Sequence, residues 1–376
     1  MSRVGDRATR PGRRGPRVVH VVVAGETGGA ERMLVDLASR PGATGAEHAV
    51  ALFTPNDSLR RMLRDAGLRV HDRGRVREGP LTYLWRSLGP RDVAWLEGIL
   101  RGERADVAHL HTFASQVLGT RAARRAGARV LRTEHSTRVY EDPSCWPFSR
   151  WSLARAHAAV AVSEHVRRVA LARAPWAAET MRVVANGVDV THFAPRDDGK
   201  AEAFTFVVVG RLEPRKGVDL AVEALAKVPG ARLDILGAGG ERAKLEAQVA
   251  ARDLGERVRF LGYADDARPL LARAHAALCS SRSEGLGIAL LEGMAMGLPV
   301  VGFAVGGVPE IVVDGATGML CTAGDVEALA ATMRTAAGAR ARMEAMGKAA
   351  RERVVARFSV GAMCEGYRAV YAGLGR

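Results

Sequence analysis

Short apolar runs alternate with amphipathic stretches along this chain, the alternation stops once, and then it starts again. Residues 17–23 (RVVHVVV) form a β-branched run bounded by glycine, which reads as a strand buried on both faces. After a glycine-rich turn, 30–39 carries apolar residues at helical spacing, and strand-like runs follow at 47–53, 68–71, 107–110, 129–132, 158–162 and 181–185. Helical stretches lie between most of them. Strands alternating with helices specify βαβ units and a parallel sheet. Turn formers and charges at 186–200 interrupt the pattern. It resumes with strands expected at 204–209, 232–236, 258–261 and 299–303, helices at 218–227, 241–253 and 288–296, and short elements at 267–273 and 276–279. Two closing helical stretches are expected at 326–357 and 360–372. The fold class is therefore α/β, with two Rossmann-like, doubly wound domains facing a central cleft. Their boundaries are expected at 17–190 and 201–357, with a disordered basic tail at 1–16, a linker at 191–200 and a C-terminal segment at 358–376. In such sheets ligands bind beyond the carboxyl ends of the strands.

Composition fits this division. A length of 376 residues suits two domains, and 48% hydrophobic with 26% charged residues excludes disorder of the whole chain. Cys145, Cys279, Cys321 and Cys364 are far apart and show no zinc-ligand spacing. They read as reduced thiols of a cytoplasmic protein. No signal-peptide core and no membrane-length apolar run is visible. The net charge is +14, with 50 Arg and 5 Lys. Either an acidic partner or GC-rich codon usage accounts for it. Nucleic acid is not expected, because no nucleic-acid module accompanies the charge. Arg121, Arg124, Arg125 and Arg129 recur on a first-domain helix and its exit, where an anionic membrane surface or plain solvent could face them.

Several motifs follow strand ends. In 283–295 (SEGLGIALLEGMA), Glu284 sits in a Ser/Gly turn and Glu292 two helical turns later. Glycines there let backbone N–H groups approach an anion, and the carboxylates can accept sugar or ribose hydroxyls; a capped helix entry is the plainer alternative. In 209–217 (VGRLEPRKG), Arg211 and Lys216 offer a guanidinium fork and a point charge to a diphosphate, or form a solvated basic loop. Gly28 and Gly29 precede a helix directly after the first strand, which suits close passage of a phosphate or a tight βα turn. The stretch 235–240 (ILGAGG) reads as a turn near a nucleotide base. Asp265 and Asp266 read as a helix-start pair that caps rather than binds metal.

His111 and His135 end strand-like runs, where they can meet a substrate hydroxyl or pack structurally. His109 is expected to face the opposite side from His111. Neither a zinc-protease HExxH nor a GxSxG elbow occurs. Trp146, Phe148 and Trp151 with Arg150 form an aromatic stretch that lines an acceptor groove, touches a membrane, or packs on the first domain.

Together these pieces resemble the family-4 glycosyltransferases of the GT-B fold. The resemblance runs through GGAER (28–32), HLHTF (109–113), VANGVD (184–189), VGRLEPRKG (209–217), LGAGG (236–240), FLGY (260–263), SEGLGIALLEGMAMGLPVV (283–301) and GGVPEIV (306–312). The GGAER form is common among members that build bacterial surface polysaccharides and glycolipids. The resemblance implies a UDP- or GDP-sugar donor and a polysaccharide- or lipid-linked acceptor. It gives catalytic roles to Glu284, His111, Arg211 and Lys216. The donor would be held by Gly28, Gly29, Arg211, Lys216, Glu284, Glu292 and backbone near Gly262, Tyr263, Leu286 and Gly287. His111 matches the histidine this family places beside the donor sugar, and the acceptor would lie near His135, Trp146 and Trp151. The closing helix would cross back to the first domain. A retaining, same-face reaction is implied, with no metal and no cofactor. Epimerisation or hydrolysis of a nucleotide sugar on the same fold is the alternative.

Overall fold

The computed structural model describes residues 15–24, 28–74 and 80–375. Most of the expected basic tail and Gly25, Glu26 and Thr27 of the first glycine turn lie outside them.

The first half folds into a seven-stranded sheet: β1 (Arg17–Val23), β2 (Glu47–Phe53), β3 (Arg69–Asp72), β4 (Val107–Leu110), β5 (Arg129–Glu134), β6 (Ala158–Ala161) and β7 (Met181–Val183). Its order is β3-β2-β1-β4-β5-β6-β7, and every pairing is parallel. Six of the seven β1 residues are buried, as a strand covered by helices on both faces must be. The second half forms a six-stranded parallel sheet from β8 (Thr205–Val209), β9 (Arg232–Leu236), β10 (Val258–Gly262), β11 (Ala276–Cys279), β12 (Val300–Phe303) and β13 (Gly318–Cys321), in the order β10-β9-β8-β11-β12-β13. The order reverses at β1/β4 in one sheet and at β8/β11 in the other. At each reversal the connections leave toward opposite faces and open a crevice at the strand ends.

The carboxyl ends at both switch points carry the motif loops. Residues 210–217 follow β8, 280–287 follow β11, Gly28 follows β1, and His111 follows β4. One hydrophobic cluster bridges the two halves, joining Tyr140, Val162 and Val166 to Leu286, Leu290 and Ile311. The helix Val360–Leu374 packs on the first sheet, where Met363, Tyr367, Val370 and Tyr371 share a cluster with Val18, Leu37, Val107 and Val160. Its entry is fastened to the segment between the halves: Val188 N–H donates to the Phe358 carbonyl at 2.9 Å, and Val360 N–H to the Val188 carbonyl at 3.0 Å.

Three expectations need correction. The stretch 326–357 is two helices, Val326–Ala337 and Arg340–Arg357, broken at Gly338, because glycine weakens a helix interior. β13 was not expected; Gly318–Cys321 (GMLC) lacks β-branched residues, and its place comes from pairing with β12. His109 does not face away from His111. Residues two apart on a strand share a face, and the two rings stand 4.0 Å apart, centroid to centroid. As for the aspartates, Asp266 accepts from the Arg268 backbone N–H at 2.9 Å and binds its guanidinium, so it closes the start of Arg268–Arg273 from just before the N-cap, Ala267.

Candidate functional site

The 210–217 loop is shaped by its glycines. Gly217 adopts φ +60°, and a Cβ there would lie 2.0 Å from the Ser280 carbonyl oxygen, so the loop after β8 lies directly against the loop after β11. That contact sets Lys216 beside Glu284: Nζ to Oε1 is 2.6 Å, and the Ser281 hydroxyl donates to the same oxygen at 2.7 Å. Burial alone would push the Glu284 carboxyl up. The Lys216 ammonium and the Ser281 hydroxyl outweigh burial and hold it below the usual glutamate range. Arg215 donates to the Ser283 carbonyl at 3.2 Å and braces the same turn. Arg211 lies further out, about half exposed, with Glu213 3.5 Å away.

Glu292 is buried on the first turns of the helix Ile288–Ala295. Its partner comes from the other domain: Arg32 Nη1 meets Oε1 at 3.0 Å. Burial pushes the Glu292 carboxyl up, and Arg32 only partly opposes it. The Tyr263 phenol lies close to the Arg32 guanidinium. Tyr263, 55% exposed, therefore stands beside this pair with its ring open to a planar ligand. Gly262 ends β10 at φ +70° and turns the chain there.

Gly28 and Gly29 enter from the first domain. Glu31 accepts from the Gly28 N–H at 2.8 Å and fixes the start of the helix Gly29–Ala38. Burial raises the Glu31 carboxyl pKa, against backbone hydrogen bonds and the charge of Arg211. A Cβ on Gly29 would lie 2.9 Å from Ile288 Cδ1, so the two domains touch here. Leu286 is buried in the bridging cluster, and Gly287 opens the helix Ile288–Ala295 at φ +97°.

The two domains meet closely beside the Glu284 loop. Ser163 Oγ donates to the Gly285 carbonyl at 2.6 Å. The Glu310 carboxylate accepts from the Glu164 and His165 backbone N–H groups at 2.8 and 2.7 Å, capping the first-domain helix Glu164–Arg173 from across the seam. A Cβ on Gly285 would lie 2.2 Å from the His135 carbonyl oxygen. Gly285→Ala is thus expected to force the domains apart without disturbing either core. Small-angle scattering should show a larger radius of gyration, with turnover reduced by at least about tenfold, since misplacing reacting groups by an ångström is that damaging. An unchanged scattering curve would contradict the close fit.

His111 and His135 sit together at this seam, ring centroids 5.8 Å apart, and both are held neutral by burial. Trp146 and Trp151 are partly buried against first-domain neighbours: Trp146 near Tyr140 and Trp176, Trp151 under the Arg155 guanidinium at 4.5 Å. The structure thus brings Lys216, Glu284, Arg211 and the glycine loops to one place, and Glu292 and Tyr263 to a second place along the same seam. Sequence reasoning gave no role to Arg32, Glu31 or Glu310. Arg32 stands in GGAER and Glu310 in GGVPEIV, but each partner comes from the other domain.

A model of the glycosyltransferase family 4 covers residues 27–192, and one of the group 1 glycosyl transferases covers residues 193–353. The chain belongs to the family-4 glycosyltransferases. It is 35% identical over 257 residues to a GDP-mannose-dependent alpha-(1-6)-phosphatidylinositol monomannoside mannosyltransferase of Mycolicibacterium smegmatis, an overlap of 61% of this chain and 66% of that protein. It is 32% identical over 196 residues to the lipopolysaccharide core biosynthesis glycosyltransferase LpsE of Rhizobium meliloti, covering 51% of this chain and 57% of the relative. The chain spans about half the length of several such curated relatives. Anabaena Alr3699/HepE, solved with UDP and glucose, superposes with a TM-score of 0.82 at 24% identity over 95% of this chain and 100% of that one. That likeness gives this chain the GT-B fold.

Proposed function

We propose that this glycosyltransferase moves a sugar from a UDP- or GDP-sugar to a polysaccharide- or lipid-linked acceptor with retention at the anomeric carbon. The observation that carries the reading is the pairing of cations with carboxylates at the two switch points. Lys216 and Arg211 neutralise the pyrophosphate and the charge that builds on it as it leaves. Glu284, ionised beside Lys216, accepts hydrogen bonds from hydroxyls of the donor sugar, helped by backbone N–H groups at Leu286 and Gly287. Glu292 receives the ribose, and Tyr263 and Gly262 border the base. Gly28 and Gly29 let the first domain approach the diphosphate.

In the same-face reaction the anomeric C–O bond to phosphate breaks as the acceptor oxygen bonds to that carbon. The acceptor proton passes to the departing phosphate oxygen. Glu284 is already engaged by Lys216 and Ser281, which suits sugar binding rather than attack at carbon. The positive charge this step requires comes from Arg211 and Lys216, so the reaction is proposed to run without a metal or cofactor. His135, Trp146 and Trp151 are assigned to the acceptor side. Proton NMR of the products tests the reading. Retained anomeric configuration with acceptor supports it; free sugar released equally with and without acceptor would favour the hydrolase alternative.

No helix among the described residues is long and apolar enough to cross a membrane. A peripheral contact on the cytoplasmic side is supported by an exposed apolar edge. On the helix Pro80–Leu88, Trp85 is 72% and Leu88 57% exposed. Arg121 donates to the Ser87 carbonyl, and Arg124 and Arg125 lie exposed one turn further along their helix. Trp85→Ser is expected to weaken flotation with anionic vesicles several-fold, whereas flotation insensitive to anionic lipid would reject the contact.

A further inference from the structure

Four histidines from three adjacent strands stack on one face of the first sheet. His20 and His109 are register partners on β1 and β4, His48 is paired with Val18 on β2, and His111 extends β4 by one residue. All four are buried, with successive rings close together: His20 lies 5.1 Å from His48 and from His111.

Three of them, His48, His20 and His111, form one unbranched hydrogen-bonded line. Thr44 Oγ1 meets His48 Nε2 at 2.7 Å, His48 Nδ1 meets His20 Nε2 at 2.9 Å, and His20 Nδ1 meets His111 Nε2 at 2.9 Å. The line ends there. His111 Nδ1 is buried and makes no hydrogen bond among the described residues, and both ring nitrogens of the neighbouring His135 are in the same condition. Three orphaned polar atoms therefore sit on two neighbouring rings whose centroids are 5.8 Å apart. Buried polar atoms without partners call for an explanation, and a polar ligand supplies one.

The line has a direction. The Thr44 hydroxyl also faces the Arg40 and Pro41 carbonyls, at 3.3 and 3.2 Å. A carbonyl can only accept, and threonine commonly bonds back within a helix, so we assign the single hydroxyl proton to these carbonyls and the shorter contact to a proton on His48; the opposite assignment would reverse every bond of the line. The hydroxyl oxygen then accepts from His48 Nε2–H. A neutral imidazole has one N–H and one lone pair. His48 Nδ1 therefore accepts from His20 Nε2–H, and His20 Nδ1 accepts from His111 Nε2–H. His111 is left with a bare lone pair on Nδ1.

We infer that Thr44, His48 and His20 are positioning residues: they lock His111 as the Nε2–H tautomer, so that it presents Nδ1 as a hydrogen-bond acceptor to a hydroxyl of the bound donor sugar. This rests on the proposed donor site. The array is not a ready metal site, although ligand atoms of His20, His109 and His111 lie within 4.8 Å of one another. Both nitrogens of His20 are engaged in the line, and both of His109 are taken by the Tyr371 phenol and the Thr133 hydroxyl, at 2.9 and 2.7 Å.

The test is nitrogen NMR of the full chain labelled with ¹⁵N-histidine and free of ligand, with turnover measured on the same samples. The parent should show a protonated, pyrrole-type Nε2 and a bare, pyridine-type Nδ1 at His111. Thr44→Val should convert His48, His20 and His111 to mixed tautomers and reduce kcat about tenfold, the weight of one hydrogen bond, with nucleotide affinity unchanged. Thr44→Ser should restore both readings. A proton on His111 Nδ1 in the parent, tautomers indifferent to Thr44→Val, loss of turnover without a tautomer change, or a tautomer change that leaves kcat at the parent value would each overturn the inference. So would one equivalent of tightly held zinc, which would replace these hydrogen bonds. Absence of turnover with every nucleotide sugar would defeat the proposed function and, with it, the role given to the Nδ1 lone pair, and the ligand-free spectra would show separately whether the line sets the tautomer.

Discussion

Lys216→Ala is expected to reduce sugar transfer by about 10²–10³-fold, the loss seen when one charge-stabilising donor is removed from a reacting centre. Two consequences combine. The ammonium that would meet the departing pyrophosphate disappears. In addition, Glu284 keeps its buried position but loses the cation 2.6 Å away that holds it ionised. Its carboxyl should then titrate higher, and the Glu284 turn should loosen, because an uncompensated buried charge is unfavourable. The variant should therefore bind donor more weakly as well as turn over more slowly. Lys216→Arg is expected to recover only part of the rate, since a planar fork does not reproduce a point charge at that distance from Ser281 and Glu284. Steady-state release of nucleoside diphosphate reads the effect; a rate near that of the parent in Lys216→Ala would remove the lysine from the reaction.

The second large effect is on stability in mild acid. His20, His109 and His111 are held well below the ordinary histidine value of 6.5, and His48 is held at about 4, in each case chiefly by burial. Mutual repulsion adds to this for His20, His109 and His111. In the unfolded chain the same rings take up protons below about pH 6.5. The native state refuses them, so its stability is complete above that pH and falls as the pH drops toward the folded values. Each ring contributes about 1.4 kcal/mol per pH unit, so four together give on the order of 5 kcal/mol per unit. A domain of ordinary stability, about 5–15 kcal/mol, would be unfolded within roughly one to three units below pH 6. Glu284 adds a smaller loss at lower pH: its depressed carboxyl stabilises the fold above the usual glutamate range and ceases to do so as the pH falls through its folded value. Urea denaturation at pH 7, 6 and 5 measures the slope. Stability that is flat over this window would mean that the array opens to protons without unfolding.

These two effects differ in how far the sequence foretells them. The strands at 17–23, 47–53 and 107–110 were readable because each is a short, mostly apolar run, interrupted by a single histidine, between amphipathic or turn-forming stretches. The switch-point loops were readable because Gly, Lys and Glu stand directly after such runs. What a linear pattern lacks is register. His20, His48 and His109 become one array only when β1 is paired with β2 and β4, and nothing local to any of the three runs announces it. Period-two alternation does place His109 on the face of His111, and that part was available without a structure. Cross-domain partners were hidden for the same reason: Arg32 and Glu292 are 260 positions apart, and Gly285 meets the His135 carbonyl only because the two crevices face each other. Gly318–Cys321 was missed because an edge strand without β-branched residues is defined by its neighbour rather than by its own composition.

Isothermal titration of the parent and Lys216→Ala with UDP- and GDP-sugars tests the central claim, that the paired cations and carboxylates between the domains hold a nucleotide sugar, most directly. The parent should bind one of these donors with one-to-one stoichiometry, and Lys216→Ala should bind it at least about tenfold more weakly, the loss expected for one charge-assisted contact to phosphate. Equal affinity in the two proteins, or no binding of any nucleotide sugar to the parent, would contradict it.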